Sequence, residues 1–79
     1  MAFETGSLNH IKSKFENAPT MWWQYGTLWA DTNSKEDVEI IKEGLEEFIA
    51  KGFKVGVSCL KATTTEPWDQ YAFDIMEDK

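Results

Sequence analysis

The sequence predicts a small α+β domain of order α-β-α-β-β, in which a three-stranded sheet carries the helix Ser34 to Lys51 on one face. Three observations predict this class. Apolar residues recur with a period close to 3.6 along that helix. The period changes to about 2 after Gly52. The stretch 21–30 is rich in aromatic residues that favour strands.

The helix Ser34 to Lys51 has signals at both ends. Ser34 is suited to cap the first turn, and Glu36 and Asp37 complement its positive N-terminal end. Gly52 stands where a left-handed residue commonly ends a helix. The apolar stripe predicted to face the core consists of Val38, Ile41, Leu45, Phe48 and Ile49.

Three segments are predicted as strands: 21–30, 53–60 and 68–76. Pro67 falls between the last two segments and cannot donate a backbone hydrogen bond to a sheet, so it separates them into two strands. A hairpin is the simple interpretation of this pair. The first two strands either pair in parallel through a crossover or take the last strand between them. The residues expected on the helix-facing side are Met21, Trp23, Tyr25, Trp29, Phe53, Val55, Val57, Cys59, Tyr71, Phe73 and Ile75.

A shorter helix is predicted from Ser7 to Asn17, before the first strand. Ser7 is suited to cap it, and Pro19 follows its end. Its apolar residues, spaced at i, i+3 and i+7, are Leu8, Ile11 and Phe15.

The length of 79 residues leaves room for one core, so we expect residues 1–79 to form a single domain. A hydrophobic share of 42% is too high for a disordered chain, even at a net charge of -6. A core of this size offsets chain entropy only narrowly, and small domains often gain further stability by association.

The charge balance argues against nucleic acid as a partner. The eight basic residues are all lysine, against 14 acidic residues. Phosphate backbones are bound through clustered positive charge, and arginine is the residue best suited to bidentate contact with phosphate or guanine. We therefore expect no nucleic-acid binding.

The sequence also predicts a cytoplasmic protein without membrane insertion. No stretch approaches the roughly 20 apolar residues of a membrane span, and the segment after Met1 does not resemble a secretory leader. Cys59 is the one cysteine, which excludes an intrachain disulfide and favours a reducing compartment.

No catalytic, cofactor or metal site is expected. The glycines match no phosphate-binding loop. Cys59 and His10, the one thiol and the one imidazole, lie in different elements, which disfavours a metal site and a nucleophile–base pair. Alternation places Cys59 on the inward side, so we expect a buried core thiol.

The sheet face away from the main helix is the predicted functional surface, because alternation places large apolar residues there around small ones. Three accounts of it compete: coverage by the N-terminal helix, coverage by a second copy or another protein, and occupation by a small ligand. The predicted interaction residues are Trp22, Gln24, Leu28, Leu60, Trp68 and Met76.

The function expected from this surface is that of a small non-enzymatic interaction protein, which uses the outer sheet face for homodimerisation or for docking a protein partner. One alternative is a ligand-binding protein or enzyme with a pocket on the same face, where Gln24, Asp74 or Ser58 supplies polar contacts. Another is an acidic inhibitor that imitates nucleic acid.

Overall fold

The structure is a computed structural model that describes residues 2–60 and 69–77. These residues form two helices and a four-stranded antiparallel sheet. The sheet order is β1-β2-β4-β3, so β1 and β3 are its edges. The elements are α1 (Ala2–Lys12), β1 (Thr20–Gln24), β2 (Thr27–Asp31), α2 (Lys35–Phe48), β3 (Phe53–Leu60) and β4 (Gln70–Glu77).

The predicted α+β class is confirmed, but the three-stranded sheet and the order α-β-α-β-β are wrong. The stretch 21–30 is not one strand, because Tyr25 and Gly26 form a turn between β1 and β2. Both turn residues have positive φ, 51° and 75°, as a two-residue type I′ turn requires. The last strand, β4, lies between β2 and β3, which is one of the two arrangements that the sequence left open.

The turn changes which residues of β2 face the helices. Residues opposite each other in an antiparallel pair share a face, and Leu28 lies opposite Trp23. Leu28 is therefore a core residue with no exposed surface, which corrects its predicted place on the outer face. Trp29 lies opposite Trp22 on the outer side, and Tyr25 is 96% exposed, so neither belongs to the predicted helix-facing set.

The helix α2 begins as predicted and ends earlier than Lys51. Ser34 caps it, since its hydroxyl accepts a hydrogen bond from the backbone N–H of Asp37 at 3.3 Å. The backbone is already extended at Ile49, with φ -87° and ψ 159°. The left-handed Gly52 (φ 91°) therefore belongs to the turn into β3 and not to the helix end.

The first helix also differs from the predicted range 7–17. Ser7 is not its cap: it is fully buried within α1, and its hydroxyl donates to the carbonyl of Glu4 at 3.1 Å. Ile11 is buried in the same cluster as Ile41 of α2 and Met21 of β1. Both helices therefore cover the same side of the sheet, which contradicts coverage of the outer face by the N-terminal helix.

The core lies between the two helices and one face of the sheet. Cover is incomplete over the edge strand β3, where Val55 is buried but Phe53 and Val57 are 44% and 39% exposed. Cys59 is exposed as well, which corrects its predicted burial. The buried apolar cluster consists of Ile11, Met21, Leu28, Ala30, Val38, Ile41, Leu45, Val55 and Phe73.

Neither helix in the described part of the chain is long and apolar enough to cross a membrane.

Candidate interaction surface

The candidate site is the sheet face opposite the helices, which we call the outer face. The strand register assigns its members, because directly opposed residues share a face. The strands β1 and β2 contribute Thr20, Trp22, Gln24, Thr27, Trp29 and Asp31. The strands β3 and β4 contribute Lys54, Gly56, Ser58, Leu60, Gln70, Ala72, Asp74 and Met76.

One row of the outer face crosses all four strands. Trp22 lies opposite Trp29, Trp29 opposite Ala72, and Ala72 opposite Ser58. Two large indole rings on β1 and β2 therefore adjoin two small residues on β4 and β3. Both tryptophans are partly exposed. The row therefore has large aromatic side chains at its β1 and β2 end and small side chains at its β4 and β3 end.

Polar groups on the outer face hold one another in place. The Thr27 hydroxyl donates to the carboxylate Oδ1 of Asp74 at 2.7 Å. The indole Nε1 of Trp22 donates to Oε1 of Gln24 at 3.3 Å. A pocket on this face was expected to use Gln24, Asp74 or Ser58 for polar contacts. The side chains of Gln24 and Asp74 are already hydrogen-bonded to other residues of the outer face.

Asp31 carries an unsatisfied acceptor at the same face. Its Oδ1 atom is buried and accepts no hydrogen bond from residues 2–60 and 69–77. Most buried polar atoms in proteins are paired, so such an atom calls for an explanation. Its position opposite Thr20 and Gln70 places it one row away from the two tryptophans.

The β3 side of the outer face exposes aliphatic surface. Leu60 is 54% exposed and Met76 is 45% exposed. The Met76 side chain lies across Gly56, since a Cβ atom built on Gly56 would lie 2.6 Å from the Met76 sulfur. Met76 therefore covers the position where β3 has no side chain.

The predicted interaction residues divide into three groups in the structure. Trp22, Gln24, Leu60 and Met76 lie on the outer face, and Leu28 lies in the core. Trp68 lies outside the described residues. Trp29 was predicted to face the helix because the segment 21–30 was expected to form one continuous strand, and it lies on the outer face instead. The glycine between the two aromatic segments is the signal that could have revealed the turn.

The structure shows neither a metal cluster nor an enclosed cavity in residues 2–60 and 69–77. His10 Nε2 lies 3.0 Å from Oε1 of Glu47 on α2. Cys59 lies opposite Tyr71, and its hydrogen bond to the phenol, together with burial, raises the pKa of Tyr71. His10 and Cys59 thus contact different residues in the structure.

Comparison of the chain with protein-family models, with curated proteins and with solved structures found no match. Function must therefore be inferred from the geometry of the chain itself.

Proposed function

We propose that this chain is a small non-enzymatic interaction protein whose outer face binds a second copy of the chain or another protein. The observation that carries this proposal is the direct pairing of Trp22 with Trp29 on a face that neither helix covers. Aromatic residues supply large contact area and commonly carry much of the energy of an interface.

The shape of the central row favours a protein partner. A partner side chain placed above the exposed Ser58 would lie in the same row as the partly exposed Trp29, on the other side of the buried Ala72. A partner contact with Trp29 would remove apolar indole surface from water, which is the main favourable term in protein association. The engaged side chains of Gln24 and Asp74 would surround it as a polar rim.

Charge sets a further requirement on the partner. Asp31 and Asp74 lie on the outer face, and Lys54 is its one basic residue among those that the structure describes. The whole chain carries a net charge of -6. A partner that presents basic groups near Asp31 and Asp74 would reduce repulsion.

The proposal is tested by the oligomeric state of tryptophan variants. Light scattering at micromolar concentration should report a dimer, and Trp22→Gln should weaken it by about tenfold or more without unfolding the chain. Trp29→Gln should act in the same direction. The control is Tyr25→Gln, which removes an aromatic ring that is 96% exposed in the turn and not on the outer face.

One outcome would contradict the homodimer, and a second would contradict the proposed interface itself. A chain that remains monomeric at every concentration would rule out homodimerisation through the outer face. If Trp22→Gln unfolded the chain, as we expect for Trp23→Gln on the helix-facing side, the indole would be part of the core and not of an interface. Circular dichroism of each variant separates unfolding from dissociation.

A further inference from the structure

The edge strand β3 offers a second contact surface, separate from the two tryptophans. It is eight residues long, whereas the other edge strand, β1, has five and follows Pro19. One side of β3 is hydrogen-bonded to β4, and no other strand among the described residues pairs with its second side. Backbone N–H and C=O groups at such an edge pair readily with another extended strand.

Edge strands are usually protected by charge, proline or a short length, and β3 has little of this protection. Its one charged residue is Lys54, near its start. Apolar side chains are exposed on both of its faces, with Phe53 and Val57 on the helix side and Leu60 on the outer side. An added strand would bury apolar surface on both faces at once.

We infer that the occupant of this edge is the β3 strand of a second copy, paired antiparallel about a two-fold axis at Val57. The inference goes beyond the proposed function, because it concerns the edge and not the outer face. The sheets of both copies would join into one sheet of eight strands, and the two outer faces would lie on the same side of it.

The sequence of β3 is complementary to itself in this register. On the helix side, Val57 lies opposite its own copy and Val55 opposite Cys59, so apolar groups meet. On the outer side, Gly56 lies opposite Ser58, so two small residues meet. Lys54 lies opposite Leu60, which keeps the two lysines at opposite ends of the paired segment.

Charge favours this segment over others as the place where two copies meet. Each copy carries a net charge of -6, yet none of the 14 acidic residues lies within Phe53–Leu60. Two copies therefore approach through β3 without placing like charges directly opposite each other. A single strand pair buries less than the roughly 1,200 Å² of a standard interface, so the contact should be weak and should need high protein concentration.

Cysteine cross-linking tests the register directly. In a Cys59→Ser background, Val57→Cys should form a disulfide-linked dimer under mild oxidation with diamide, because opposed α-carbons of an antiparallel pair lie about 4.5–5.5 Å apart. The unsubstituted chain is the matched control. Its two Cys59 residues would be four positions out of register, about 13 Å apart along the strand, and should not cross-link.

A second pair of variants tests the contact without a covalent bond. Val57→Lys places two ammonium groups opposite each other, so it should abolish the additional association seen by light scattering at high concentration. Asn9→Lys makes the same charge change at an exposed position of α1, outside both β3 and the outer face, and should leave that association unchanged. Val57 is 39% exposed, so both of its variants should remain folded, which circular dichroism checks.

The outcomes separate the edge contact from the outer-face contact. Equal cross-linking through Val57→Cys and through native Cys59, or none at Val57→Cys, would overturn the β3 pairing. Loss of association with Trp22→Gln alone, while Val57→Lys has no effect, would overturn it and leave the proposed outer-face function intact. Cross-linking through Val57→Cys that persists in Trp22→Gln would support the edge pairing as an independent contact.

Discussion

Gly44 of α2 lies against Ile11 of α1 at the point where the two helices meet. A Cβ atom built on Gly44 would lie 3.1 Å from Cγ1 of Ile11 and 3.3 Å from Cδ of Lys14. Ile11 is fully buried, so it has little freedom to move away. Gly44 therefore permits the close packing of the helices, although glycine lowers intrinsic helix stability.

Enlarging this position should destabilise the protein. Gly44→Val should lower the free energy of unfolding by about 1–3 kcal/mol, because the added methyl groups overlap with Ile11. The matched control, Glu43→Val, introduces the same β-branched residue at an exposed position of α2 and should change stability by about 0.5 kcal/mol or less. Urea denaturation measures both, and equal midpoints would show that the helices do not pack as described.

The turn between β1 and β2 offers a stabilising substitution. Tyr25 has a φ of 51°, a left-handed conformation that is unfavourable for a bulky residue, and its side chain is 96% exposed. Tyr25→Asn should raise the free energy of unfolding by about 1 kcal/mol, because asparagine adopts this conformation more readily. Tyr25→Val should lower it, since a β-branched residue is least suited there. The opposite order in thermal or urea denaturation would contradict the assigned turn.

The ion cluster between the helices predicts a shift in one carboxyl pKa. Lys14 Nζ lies 2.8 Å from Oε1 of Glu47, and His10 Nε2 lies 3.0 Å from the same oxygen. The hydrogen bond from Lys14, followed by that from His10, lowers the pKa of Glu47 below 4.5. This carboxylate therefore contributes stability above pH 4.5, and the contribution is lost as the pH falls through the lowered pKa.

Lys14→Met should raise the pKa of Glu47 towards its ordinary value, as measured by NMR titration of the carboxyl carbon. Lys35→Met makes the same change in net charge at the start of α2 and should leave that pKa nearly unchanged. The effect on stability should be small in both variants, because exposed ion pairs contribute little. An unshifted Glu47 pKa in Lys14→Met would show that the contact does not persist in solution.

Local signals were sufficient for α2, and they failed where pairing between distant segments decides the conformation. The cap at Ser34 acts within one turn of helix, so it can be read from neighbouring residues. The hairpin at Tyr25-Gly26 lacks the usual Asn-Gly or Asp-Gly pair. A tyrosine adopts the left-handed conformation there in the context of paired β1 and β2, and within 21–30 Gly26 is the one residue that signals a turn.

The same limit applies to the candidate surface. Trp22 and Gln24 precede the turn, so alternation placed them on the outer face, whereas Leu28 and Trp29 follow it and exchange sides. Alternation does predict the side of β3 on which Cys59 lies, opposite Tyr71. It does not show whether a helix covers that side, and the exposure of Cys59 depends on how far the two helices extend over the edge strand.

The sequence by itself determined the α+β class, the start of α2 and the two alternating strands after it, because helix caps and side-chain periodicity act over a few neighbouring residues. The tertiary structure alone decided the fourth strand, the common side of both helices and the pairing of Trp22 with Trp29. These features depend on contacts between residues far apart in the chain, and in a sheet a shift of one residue moves a side chain from the core to the surface.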